Sequence, residues 1–111
     1  MKRNAQSFIC KDLPSDMRLK PGAIQFVTRA MEGGLPGPVV GFNHACPCGC
    51  GKRSFIRLNP EYWEPGTLPM WTRTGDDLHM TLTPSIGIRP QDATGAYHWH
   101  GFLKNGVFEE C

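Results

Sequence analysis

Three of the chain's five cysteines fall within five residues, Cys46-Pro47-Cys48-Gly49-Cys50, with His44 just ahead of them and Gly51 just behind. Core packing makes no demand for thiols at that density, whereas a metal ion or a reactive thiol held by tight backbone does. Zinc takes four Cys or His ligands in a tetrahedron, the first pair usually two to four residues apart. Cys46 and Cys50 meet that spacing, and Cys48 lies closer to each than the rule prefers. Gly49 and Gly51 let the backbone turn so that the sulfurs converge, and Pro47 limits the entropy lost when the loop closes. There is no second C-x-x-C, so the set must be completed from elsewhere, with His44, His98, His100 and Cys111 as candidates. The expected cofactor is Zn2+. The competing readings are a purely structural thiol-rich turn and a single reactive thiol, Cys48, with two bystanders.

Other residues carry weaker signals. His98 and His100 are two apart on an expected strand, so their imidazoles project from one face. That suits a pair of metal ligands, one ligand beside one base, or two half-buried packing residues among Tyr97, Trp99 and Phe102. Glu109 shares that face across the expected hairpin. His79 reads as surface-exposed and Cys10 as a packed thiol. Ser85 follows Thr83-Pro84 at a strand end without a Gly-x-Ser-x-Gly elbow, so its spacing alone makes it a turn serine.

The elements that must position these groups are short. Gly 13 and Pro 10 in 111 residues favour turns and strands over long helices. Strand-like alternation begins at Ala23, with Ile24, Phe26 and Thr28 on one side. Val39 to Phe42 is a second strand and Arg53 to Leu58 a third, which places the cysteine turn at a hairpin tip. Asn59 to Gly66 holds at most one helical turn, and Met70 to Arg73 is extended. Leu78, Met80 and Leu82 alternate toward the core. Ile86 to Pro90 continues extended, and Gln91–Gly95 is a loop. Asn105-Gly106 between Tyr97–Lys104 and Val107–Glu110 is the strongest short hairpin signal, and it sets Leu103 opposite Phe108 and His100 opposite Cys111. Toward the N-terminus, Phe8, Ile9 and Leu13 are expected to pack, and Asp12–Asp16 to turn.

The resulting expectation is a mainly β fold: a small single domain, 1–111, of hairpins and short strands pinned by a zinc-type Cys/His site, with few or no long helices. Residues 1–21 form an irregular N-terminal segment. Residues 22–111 form the β core, with the cysteine turn at 44–51 and the C-terminal hairpin at 97–111. A net charge of +2 points to neither nucleic acid nor a membrane surface. No apolar run of membrane-spanning length is present, no signal peptide is expected from the N-terminal residues, and an odd cysteine count argues against a closed disulfide framework. A cytoplasmic location is expected.

Three segments occur in a telling order: Cys46-Pro47-Cys48-Gly49-Cys50-Gly51, then Leu82-Thr83-Pro84-Ser85-Ile86, then His100-Gly101-Phe102-Leu103-Lys104-Asn105-Gly106. Together they resemble a small bacterial and phage family with a CPCGCG turn, an L-S/T-P-S strand end and a final H-x-x-I/L-x-N-G hairpin. The resemblance covers roughly the C-terminal two thirds. Phage members often carry the name ammonia monooxygenase, which the residues do not support, since no copper site is evident. Bacterial members sit beside genes for ubiquitin-like modifiers and their activating and conjugating enzymes, and have been regarded as peptidases that trim or remove the modifier. The resemblance then implies that Ser85 matches the family serine and His100 the family histidine, a Ser–His pair in which His100 takes the proton and Ser85 attacks the carbonyl. Many relatives carry a Cys shortly before that histidine. Here the stretch reads Gly95-Ala96-Tyr97-His98, and His98 is inferred to stand in as fourth metal ligand with Cys46, Cys48 and Cys50.

The functional expectation is a zinc-containing, serine-type peptidase or isopeptidase of a bacterial or phage ubiquitin-like modifier pathway. The zinc is structural, and the partner is a protein or peptide substrate such as a modifier's C-terminus. The alternatives are a non-catalytic zinc module that binds a protein partner and a metal-dependent hydrolase.

Overall fold

The computed structural model describes residues 2–10, 20–30, 32–34, 36–88 and 98–111. The strands are, in chain order, β1 (Ala5–Gln6), β2 (Phe8–Ile9), β3 (Ala23–Ala30), β4 (Pro36–Ala45), β5 (Arg53–Arg57), β6 (Thr72–Thr74), β7 (Thr81–Thr83), β8 (Ile86–Ile88), β9 (Trp99–Lys104) and β10 (Val107–Glu110). Among the described residues the helical content is two short 3-10 turns, Glu32–Gly34 and Pro60–Tyr62. The mainly β expectation is therefore met. The expected turn at Asp12–Asp16, the packing of Leu13, the Gln91–Gly95 loop and Tyr97 lie outside the described residues. No helix among the described residues is long and apolar enough to cross a membrane.

One four-stranded sheet has the order β1-β10-β9-β8, a second has β2-β3-β4-β5, and β6 and β7 form a two-stranded ribbon. The second strand of the expected set is longer than Val39 to Phe42. β3 offers partners along most of its length, from Ile24 opposite His44 to Ala30 opposite Pro36, so β4 runs from Pro36 to Ala45. β4 and β5 pair antiparallel with Ala45 opposite Arg53, which leaves the cysteine turn at the hairpin tip as the sequence suggests.

The C-terminal hairpin follows its turn chemistry. Asn105 (φ 46°) and Gly106 (φ 82°) both occupy the left-handed region that a two-residue turn requires. That fixes Lys104 opposite Val107, Leu103 opposite Phe108 and Phe102 opposite Glu109, and the Cys111 N–H donates to the His100 carbonyl at 2.9 Å. Burial alternates accordingly: Trp99, Gly101 and Leu103 are buried, while His100 is exposed.

Two expectations are overturned. Leu78 does not face the core; it is 61% exposed, and the strand begins at Thr81. The Asp76 carboxylate accepts the N–H groups of Leu78 (3.0 Å) and His79 (2.9 Å), so these donors are bound in a turn rather than in a ladder. His79 is exposed there as expected, and only Met80 and Leu82 reach the core. Phe8 and Ile9 are likewise exposed, at 38% and 42%. Their segment acts through backbone pairing, with β1 joined to β10 and β2 joined in parallel to β3, so the first residues tie the two four-stranded sheets together.

The main core is one cluster drawn from both of these sheets and the ribbon, including Ile24, Phe42, Ile56, Leu82, Trp99 and Phe108. Cys10 packs against a smaller buried pair, Ala23 and Ala45. Gly101 is essential to the close approach of β9 and β10. A Cβ there would lie 2.1 Å from the Glu109 carbonyl oxygen and 2.7 Å from a Trp99 ring atom. Gly101→Ala is expected to destabilise the fold by on the order of 2–3 kcal/mol, the usual cost of overpacking. A urea titration checks this, and an unchanged midpoint would mean that the strands separate freely at this point.

Candidate functional site

The metal-type cluster is built by backbone first. The Cys46 N–H donates to the Lys52 carbonyl (2.8 Å) and the Gly49 N–H to the Cys46 carbonyl (3.1 Å), which folds the turn back on itself. Gly49 and Gly51 have φ of 87° and 85°, values that a side chain would strain. His98 arrives from the other four-stranded sheet, where its N–H donates to the Ile88 carbonyl at 2.9 Å just ahead of β9.

Cys46, Cys48, Cys50 and His98 come together, each offering one ligand atom, with all four atoms within 4.8 Å of one another. Cys46 and Cys48 sulfurs are 3.2 Å apart, and His98 Nε2 lies 3.1 Å from Cys48 and 3.2 Å from Cys50. A tetrahedron with zinc–sulfur bonds has edges of about 3.8 Å, so three thiolates and an imidazole nitrogen at these separations fit one small cation with little movement. Burial pushes the Cys46 thiol well up, which disfavours a bare thiolate there and leaves a metal as the natural way to stabilise one. At Cys50 burial also pushes up, but the Lys52 backbone N–H and the neighbouring Cys48 and Cys46 sulfurs outweigh it, and the net shift is down.

The other candidate ligands lie elsewhere. His44 shares the inward face of β4 with Phe42, stacks on Phe108 at 5.2 Å and is fully buried. Burial lowers its pKa to about 4, so it is a neutral core histidine. Cys111 is exposed at the end of the chain, beside the His100 backbone. His100 points to the hydroxyl of Ser85.

Ser85 Oγ and His100 Nε2 are 3.0 Å apart. The sheet register explains the meeting: β8 pairs with β9 with Ile86 opposite Gly101 and Gly87 opposite His100, so Ser85, one residue before β8, shares a face with His100. Ser85 is half-buried and His100 exposed, which keeps the pair accessible. Beside it lies an open groove of about 500 Å³ lined by Leu68–Trp71 and by Pro84, Ser85 and Gly87. Leu68-Pro69 and Thr83-Pro84, on these two stretches, are both cis peptide bonds.

Two contributors carried no sequence signal. The Trp71 indole N–H donates to the Ser85 carbonyl at 3.3 Å and fixes the backbone that carries the hydroxyl. Arg3, 95 residues from His98, donates to the His98 carbonyl at 3.0 Å and pairs with Glu110. The Glu110 hydrogen bond raises the Arg3 pKa, and the Cys48 and Cys46 charges add to it, so a cation stands next to a centre that three thiolates would make negative.

A family model described as bacterial ubiquitination-like system serine protease (BubE) matches residues 9–111. No curated protein and no solved structure matches the chain. The match spans the cysteine turn, the Thr83-Pro84-Ser85 strand end and the last hairpin together, and its description agrees with the modifier-pathway side of the resemblance and says nothing of ammonia oxidation. The chain belongs to the bacterial ubiquitination-like system serine protease family.

Proposed function

We propose that this protein is a serine-type peptidase or isopeptidase that cleaves after the C-terminal carbonyl of a ubiquitin-like modifier, with Ser85 as nucleophile and His100 as general base. The observation that carries the reading is the 3.0 Å contact between Ser85 Oγ and His100 Nε2 at the edge of an open groove, within hydrogen-bond reach for proton transfer. His100 takes the hydroxyl proton on Nε2 as Oγ bonds to the carbonyl carbon. The tetrahedral intermediate then collapses, the bond to the leaving amine breaks, and His100 returns the proton to that nitrogen. Water, activated by the same nitrogen, releases the modifier from the acyl-enzyme.

The metal in this reading is zinc, held by Cys46, Cys48, Cys50 and His98; thiolate and imidazole donors suit it. Four protein donors fill a tetrahedron and leave no position for a water nucleophile, which favours a structural clamp over a metal-dependent hydrolase. A fluorophosphonate probe tests the nucleophile directly. One adduct per chain is expected, on Ser85 by peptide mapping, with labelling lost in His100→Ala. Labelling elsewhere, or none beside a reactive control protease, would favour the non-catalytic zinc module.

A further inference from the structure

The hairpin fixes which way each backbone group on β9 points. The His100 carbonyl accepts the Cys111 N–H, so the backbone groups of His100 face β10 and those of Trp99 and Gly101 face β8. In β8, Ile86 and Ile88 stand opposite Gly101 and Trp99 and pair with them. Gly87 lies between, opposite His100, so its N–H and C=O point the other way, out of the sheet. The Ser85 carbonyl points to that same side, where it meets the Trp71 indole. β8 ends its sheet, and no strand among the described residues pairs with that edge.

The neighbouring ribbon shows what would otherwise have covered it. β6 and β7 pair from Thr74 opposite Thr81 to Thr72 opposite Thr83. Continued, that register would set Met70 against Ser85 and Leu68 against Gly87. It stops instead, Pro69 brings no N–H to a ladder, and the groove of about 500 Å³ lies between the two stretches.

Resting on Ser85 as nucleophile, we propose that the acyl side of the substrate binds in this groove as an added β-strand, antiparallel to β8, and that the Gly87 N–H and C=O are its positioning groups. β8 runs away from Ser85, so an antiparallel tail runs toward it. A residue paired with Gly87 is followed by two more before the scissile carbonyl, about 6.6 Å along an extended chain, which brings that carbonyl to Ser85. The Gly87 partner is therefore the third residue before the cleaved bond. Gly87 adds no side chain to the face that carries His100. The substrate class this selects is an extended, unpaired C-terminal tail, since a folded loop has no free backbone edge to offer.

The test uses the Ser85→Ala protein and six-residue peptides copying a modifier tail, each N-methylated at one backbone position. Calorimetry is expected to give a Kd weakened about tenfold by methylation at the third residue from the cleaved end, since one buried pairing is lost. Methylation at the second or fourth, whose N–H groups point away from β8, is expected to change it by less than about twofold on the same grounds. Amide exchange at Gly87 is expected to slow when the unmodified peptide binds. No binding, a flat methylation profile, or unprotected Gly87 would overturn the proposal. Because this readout is binding, it stands apart from the cleavage assay: an enzyme that cleaves modifier fusions but shows a flat profile loses only the strand-addition inference.

Discussion

Ser85→Ala is expected to abolish cleavage of a ubiquitin-like modifier fusion, with kcat lowered by roughly a thousandfold or more and KM little changed. The size follows from the proposed role: without Oγ there would be no acyl-enzyme, and His100 would have no proton to take. The small effect on the fold follows from the surroundings. The Ser85 backbone is held by the Trp71 indole through its carbonyl, and β8 is held by its pairing with β9, none of which uses the hydroxyl. Thermal unfolding of the variant should therefore superimpose on that of the parent. His100→Ala should cause a comparable loss, and the double variant should be no worse than either single one, because in the proposed mechanism the two residues act as a unit. Cleavage at the parent rate by Ser85→Ala would end the serine mechanism. Loss confined to Cys48→Ala, with fold and metal retained, would move the nucleophile to the cysteine turn.

Removal of the metal is expected to have the largest effect on stability. Elemental analysis should find one ion per chain, and a strong chelator should lower Tm by on the order of 15 °C or abolish the cooperative transition. The four donors join the β4–β5 hairpin to the start of β9, which belong to different four-stranded sheets, so an ion bound there would close a loop of some fifty residues across the core. In a domain this small, whose whole stability is about 5–15 kcal/mol, the proposed structural zinc would supply a large share of it. His98→Ala and Cys48→Ala should each reduce metal content and stability. Cys111→Ala should change neither, since Cys111 lies outside the cluster. Full stability after chelation, with no ion detected in the parent, would reduce the cluster to a thiol-rich turn.

Much of the local structure was legible because it depends on neighbours in sequence. Glycine and proline between closely spaced cysteines force a turn, and Asn105-Gly106 fixes the pairing of β9 with β10. His98, expected to share a face with His100, lies just ahead of β9, where its N–H donates to the Ile88 carbonyl. Alternation misled at Leu78, where the Asp76 carboxylate takes the backbone donors that a strand would have used. It misled again at Phe8 and Ile9, whose segment is held by backbone pairing while their side chains remain exposed.

By itself, then, the sequence determined that three sulfurs converge and that the chain folds as short strands. It left four residues competing to complete the metal set and gave Ser85 no base except through a family resemblance. Only the tertiary structure decided that His44 turns into the core to stack on Phe108, that His98 meets the sulfurs, and that His100 meets Ser85. The reason is physical. Spacing within a turn or hairpin constrains a handful of dihedrals, whereas the order and register of strands tens of residues apart are set by which apolar faces bury together, and that is a property of the whole chain.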